Sequence, residues 1–356
     1  MAVGGGMKLV LCLLLFFAAI MPGQAAAAPT VQAESAVLLD VDTKRVLYEK
    51  NADEPKPIAS ITKIMTAILA IEYGRLDDLV VVSPKASRME GSSIYLRPGE
   101  QVTLETLLYG LMLRSGNDAA VAIAEHIAGS EENFVKLMNM KAWELGMNRT
   151  QFANPHGLDA EGHYSTARDM ALLSAYALKN PVFQEIVKTK VKRVSWPGEQ
   201  WMRSWANKNK MLQFYDGADG VKTGYTKKAG RTLVSSATRG RQQLVVVTLN
   251  DPDDWRDHMR LLDYGFSQYP ARLLLKEGQL LPVPASWPAA ERRLEVGRSL
   301  YYPLSQNEVE DVKATIVFSP HARSRWEKGS SGEVVGNVHV VFHGKPIGVL
   351  PIRIED

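Results

Sequence analysis

Three short segments carry residue types that could act together in nucleophilic chemistry: Ser60-Ile61-Thr62-Lys63, Ser115-Gly116-Asn117 and Lys222-Thr223-Gly224. A serine hydroxyl is a poor nucleophile until a neighbouring group takes its proton. Lys63 lies three residues after Ser60, so on a helix both side chains leave the same face one turn apart. A neutral lysine amine can accept that proton, provided burial or a second positive charge lowers its ordinary pKa of about 10.4. A second cationic lysine facing the same cleft would supply that charge. Ser115-Gly116-Asn117 can present a hydroxyl and an amide from a tight turn. Lys222 and Thr223 can hold a carboxylate, while Gly224 lets a substrate backbone come close.

Each segment also has a plainer reading. Ser60 could be a helix cap with Lys63 solvated, Ser115-Gly116-Asn117 a turn between helices, and Lys222-Thr223-Gly224 a surface strand end. Lys63 falls within an otherwise apolar stripe, Ile61, Ile64, Met65, Ile68 and Leu69, which argues against simple solvation. Order, spacing and setting of the three segments carry the signal that none carries alone. The seven histidines, His156 and His163 among them, show no metal-ligand spacing such as His-Glu-x-x-His, so loop or core roles are expected. Trp196, Trp201 and Trp205 read as packing of a long connection, and Asp40 with Asp42 as a turn.

The elements that must position these residues follow from periodicity and caps. Residues 35–49 read as two strands around Asp42-Thr43-Lys44. Helices are expected from Ser60 to near Gly74, over 103–113, 118–128, 131–145 and about 167–179, and finally about 253–266. Residues 231–239 and 243–250 read as a hairpin around Gly240-Arg241. Strands, then helices, then strands imply an antiparallel sheet packed by a helical cluster. Prolines 270, 282, 284 and 288 suggest a linker over 269–284, and the alternating runs beyond it a small β-domain over 285–356.

The three segments resemble the motif set of the penicillin-recognising serine enzymes, Ser-x-x-Lys, Ser-Asp-Asn and Lys-Thr-Gly. Gly116 in the Asp position of the middle motif, together with Asn154-Pro155-His156-Gly157-Leu158 and His163-Tyr164-Ser165-Thr166-Ala167-Arg168-Asp169, resembles the low-molecular-mass D-alanyl-D-alanine carboxypeptidases. The likeness covers about residues 30–266. It implies an α+β fold with a β-lactamase/transpeptidase-like catalytic domain over 30–268, followed by a small all-β domain. It further implies that Ser60 attacks the carbonyl between the two terminal D-alanines of a peptidoglycan stem peptide, with Lys63 as base. Ser115 would relay a proton to the leaving amine, and Asn117, Lys222, Thr223 and Gly224 would bind substrate. β-Lactams would acylate the same serine, and neither cofactor nor metal is implied. Of two rivals, a β-lactamase would need an added carboxylate base, and no clear Glu-x-x-x-Asn segment supplies one. A catalytically silent wall-binding module need not keep Ser60, Lys63, Ser115 and Lys222.

Composition fits this reading. Lys and Arg number 42 against 39 Asp and Glu, a net charge of +3 that is too mild and too evenly spread for a nucleic-acid binder. Lys8, the apolar run Leu9 to Met21 and the small residues after it read as a signal peptide over 1–27, cleaved after Ala27. An exported protein of the cell envelope, or a secreted one, is therefore expected. The single cysteine, Cys12, lies in that run, so the chain beyond it can form no disulfide and carries no thiol nucleophile. Family members often end in an amphipathic membrane-surface helix. This chain ends at Ile354-Glu355-Asp356 in or just after a strand, so the expectation is a protein either released or peripherally associated with membrane or cell wall, or else held by an uncleaved signal segment.

Overall fold

The computed structural model describes residues 27–196 and 198–356, with the backbone of Lys8 and Leu9; the rest of the expected signal peptide, Cys12 included, lies outside the described residues. The chain divides into two compact units that meet in sequence between Phe266 and Ser267.

The first unit is built on a five-stranded antiparallel sheet. Its strands are β1 (Ser35–Asp40), β2 (Val46–Lys50), β3 (Ala218–Thr226), β4 (Gly230–Arg239) and β5 (Gln242–Leu249), in the spatial order β2-β1-β5-β4-β3. Every residue of β1 is buried, because both faces of the sheet are covered. Val37, Leu39, Val245 and Val247 join the core shared with the helices. On the other face Leu38 and Leu244 meet helix α7 (Asp254–Gln268), where a Cβ at Gly265 would come within 2.6 Å of Leu244 and 2.8 Å of Leu38. The β1–β2 turn is the expected one: Asp40 Oδ1 accepts from the Thr43 amide at 2.9 Å and the Thr43 hydroxyl at 2.7 Å.

The helices are α1 (Lys63–Tyr73), α2 (Leu104–Arg114), α3 (Asn117–Ala128), α4 (Glu131–Glu144), α5 (Ala167–Ala177) and α6 (Pro181–Lys188). Their starts follow their caps. Thr103, Ser130 and Thr166 each accept a hydrogen bond from the amide three residues on, satisfying a donor that the helix cannot. A separate hairpin, Val191–Ser195 with Met202–Ala206, occupies the long connection that carries the three tryptophans. Trp196 and Trp205 pack edge to face there at 5.8 Å, whereas Trp201 is exposed.

The second unit has its own apolar core around Trp287, Leu294, Trp326, Val338 and Ile352. Its larger sheet runs in the order Lys8–Leu9, Val312–Phe318, Val334–Phe342, Lys345–Glu355, Arg293–Val296 and Leu280–Leu281. His343 and Gly344, both with positive φ, make the two-residue turn that a hairpin needs between Phe342 and Lys345. The segment 269–284 differs from the linker expected of it. It holds the strands Ala271–Leu275 and Leu280–Leu281, paired with Leu300–Pro303 and Arg293–Val296. Its prolines flank these strands rather than interrupt them, which is where proline is tolerated.

Candidate active site

Ser60 sits in a 3₁₀ turn, Ala59–Thr62, that leads directly into α1. The turn is held from three sides. Thr232 on β4 donates to the Ile58 carbonyl at 3.1 Å, and Thr62 donates to the Ala59 carbonyl at 2.8 Å. His163 meets the Thr62 hydroxyl through Nε2 at 2.9 Å while its Nδ1 accepts from the Ala153 amide, so the ring proton is on Nε2. Burial pushes His163 down to about 4, keeping that ring neutral. Gly157 fits beneath the turn only because it lacks a side chain: a Cβ there would stand 2.0 Å from the Ala59 carbonyl oxygen.

Lys63, the first residue of α1, is fully buried. Its ammonium nitrogen reaches Ser60 Oγ at 3.1 Å, Asn117 Oδ1 at 2.7 Å and the His156 carbonyl at 2.5 Å. Burial, and then the charges of Lys222 and Lys208, hold its pKa well below the usual lysine value; Asp118 opposes this. Among the described residues no carboxylate forms an ion pair with Lys63 or Lys222. Lys222 projects inward from β3 and donates to the Thr223 carbonyl at 2.8 Å; burial first, then Lys208, lowers it to about 7.

Ser115 ends α2 in the left-handed conformation, φ 65°, unusual for a residue with a side chain, and the bend turns it toward Ser60. A cleft of about 560 Å³ is lined by Ser60, Ser115, Thr223 and Gly224 together. The expected strand alternation is modified here: Lys222 is inside, while Thr223 and Gly224 both border the cleft. A Cβ on Gly224 would lie 2.9 Å from the Ser60 amide nitrogen, so glycine is what lets β3 lie against the turn that holds Ser60. All seven residues singled out from the sequence thus converge on one place.

The family model described as D-alanyl-D-alanine carboxypeptidase, peptidase S11, matches residues 23–253. The chain is 37% identical over 346 residues to the D-alanyl-D-alanine carboxypeptidase DacF of Bacillus subtilis strain 168, covering 91% of this chain and 85% of that protein. It is 34% identical to DacC of Escherichia coli K12, over 94% of this chain and 86% of the relative. The chain belongs to the D-alanyl-D-alanine carboxypeptidase family, S11. Among solved structures, DacD of Francisella tularensis superposes with a TM-score of 0.71 at 27% identity, over 95% of this chain and 96% of that one. The Streptomyces K15 DD-transpeptidase, solved as a serine-to-alanine mutant, superposes at 0.65 and 34% identity, over 67% of this chain and 99% of its own.

Several residues of this S11 site escaped the sequence reading. Asp118, next to the middle motif, accepts from the Ser93 hydroxyl at 2.6 Å and from the amides of Ile94 and Leu96 at 3.0 and 3.1 Å. It thereby fixes the loop that carries Ser92 into the cleft. Asn117 ties the same loop to Lys63, donating to the Glu90 carbonyl at 2.7 Å while accepting from the Lys63 ammonium. Arg231, which faces Tyr225 across the β3–β4 pair, is gripped by Asp254 through two bonds of 3.0 and 2.6 Å, and both line the cleft with Trp255. Lys208 lines it as well and donates to Ser92 Oγ at 3.1 Å. The available signals were adjacency to a motif for Asp118 and hairpin register for Arg231.

Proposed function

We propose that Ser60 is the nucleophile of this D-alanyl-D-alanine carboxypeptidase and that the reaction runs on the side chains gathered in the cleft. The observation that carries the reading is Lys63: a buried amine with a lowered pKa, 3.1 Å from the Ser60 hydroxyl. In its neutral form it takes the hydroxyl proton as Oγ attacks the carbonyl carbon between the two D-alanines of a peptidoglycan stem peptide. The Ser60 amide stabilises the oxyanion. Ser115 relays that proton from Lys63 to the departing amine, the C–N bond breaks, D-alanine leaves and Lys63 is neutral again. Lys63 then takes a proton from water as its oxygen attacks the ester carbon; the bond to Ser60 Oγ breaks, Oγ receives that proton, and the water oxygen stays in the carboxyl group of the shortened peptide. Lys222 and Thr223 hold the substrate's terminal carboxylate, and Gly224 gives the peptide backbone room along β3. One Asn117 amide hydrogen bonds the Glu90 carbonyl, which leaves the other to orient the substrate amide.

β-Lactams present a strained amide and a carboxylate to the same groups and acylate Ser60. Asp254 is bound to Arg231 and Asp118 to the Ser92 loop, so neither is placed to speed hydrolysis of that ester as a β-lactamase would. The leader over 1–27 would deliver the enzyme to the cell envelope, where its substrate lies. No helix among the described residues is long and apolar enough to cross a membrane.

The deciding experiment is D-alanine release from a peptide ending in D-Ala-D-Ala, beside covalent labelling by a fluorescent penicillin. Both are expected in the native protein and absent from Ser60→Ala. Release that persists in folded Ser60→Ala would remove the serine from its role.

A further inference from the structure

The Ser92–Lys208 pair lines the cleft, yet none of the steps above uses it. We propose that it forms a second anion-binding position, selecting substrates whose residue before the D-Ala-D-Ala pair carries a side-chain carboxylate. The inference rests on the carboxypeptidase reading and names the substrate class within it.

Lys208 is exposed to solvent at the cleft, and its ammonium donates one hydrogen to Ser92 Oγ at 3.1 Å. An ammonium has three donors, and among the described residues no carboxylate forms an ion pair with this one. The base of the side chain is fixed. Its backbone amide donates to the Leu113 carbonyl at 3.2 Å, near the end of α2, and the following Asn209 side chain donates to Gly220 at 2.7 Å, where the chain enters the Lys-Thr-Gly segment. Ser92 is fixed too, its carbonyl accepting from the Asn117 amide at 2.7 Å. The pair is therefore a placed donor set rather than a loose surface lysine.

The charges around it favour an anion. Lys63 and Lys222 lie close enough to Lys208 for its charge to depress both, and Arg114 adds to the positive field at Lys208. Asp254 is the one carboxylate among the cleft-lining residues, and Arg231 neutralises it. Lys222 and Thr223 already have the terminal carboxylate to hold. An extended peptide advances ~3.5 Å per residue, so the residue two places before the terminus lies about 7 Å further along the cleft. Lys208 and Ser92 line the same cleft as Thr223 and Gly224, so a carboxylate on that residue would have the Lys208 ammonium and the Ser92 hydroxyl as partners, while an ammonium would meet like charge.

The test uses three peptides, N-acetyl-Glu-, N-acetyl-Gln- and N-acetyl-Lys-D-Ala-D-Ala, with D-alanine release as readout. The native enzyme is expected to rank Glu above Gln above Lys in kcat/KM, with about three- to tenfold between Glu and Lys, the size of a partly exposed charge contact. The spread should shrink as salt rises. In Lys208→Gln the Glu-to-Lys ratio should fall to about one, and in Lys208→Glu it should invert. Using the ratio cancels any general change in rate that the variants bring. Equal values for the three peptides in the native enzyme overturn the proposal, as does a Glu preference undiminished in Lys208→Gln. Failure to release D-alanine from any of the three overturns the carboxypeptidase reading, and this one with it.

Discussion

At the scale of single residues, the proposed reaction needs two lysines in different protonation states. Lys63 must be neutral to accept a proton, and burial with two neighbouring cations pushes it in that direction, well below the usual lysine range. Lys222, at about 7, must be charged to hold a carboxylate. On that reading the kcat/KM profile should fall above about pH 7 as Lys222 loses its proton, while the acid limb reports the lowered Lys63. Lys222→Arg keeps the charge to far higher pH, so the alkaline limb should move upward whatever happens to the maximal rate. A limb that stays at the same pH in this variant would show that another group titrates there.

At the scale of elements, the helix caps and the three motifs were legible because they are local. A threonine or serine before an apolar stripe fixes a helix start, and the structure agrees at Thr103, Ser130 and Thr166. What local pattern could not show was the loop between the short helix Pro84–Ser87 and the strand Gln101–Thr103. That loop gets its shape from Asp118, a residue more than twenty positions away. The helix Ala322–Lys328 was missed for a related reason, since its seven charged and small residues offer only Ala322 and Trp326 as a buried pair. Likewise the Val191–Ser195 hairpin has only one buried residue in each strand, too weak an alternation to read. Asp118→Ala removes the acceptor for one hydroxyl and three amides, those of Ile94, Leu96 and Ala119. It should lower stability by about 2–4 kcal/mol in thermal or urea unfolding, and raise KM for peptide more than it lowers kcat, because Ser92 and the Asn117 anchor lose their position. A KM unchanged alongside the stability loss would mean the loop does not touch substrate.

At the scale of the whole molecule, each unit has its own core, so damage to one should be measurable apart from the other. Trp326 is buried against Trp287 at 5.7 Å and donates through Nε1 to the Pro288 carbonyl at 3.0 Å. Trp326→Ala should cost the second unit roughly 3–5 kcal/mol, while penicillin labelling of Ser60 keeps its native rate at temperatures below the transition. Loss of labelling in parallel with the second unit's unfolding would show that the two units melt as one.

The pair of buried lysines without a carboxylate partner bears on more than reactivity. Unfolding returns Lys63 and Lys222 to water, where each binds its proton at the ordinary value, so at neutral pH their burial favours the unfolded chain. A ligand that brings a carboxylate to Lys222 reverses part of that bias, serving as the counter-ion that none of the described residues supplies. On the proposed reading, an antibiotic lodged on Ser60 would do two things to the same molecule. It would end catalysis, and it would leave behind a protein expected to be harder to melt and slower to be cleared by proteases than the free enzyme.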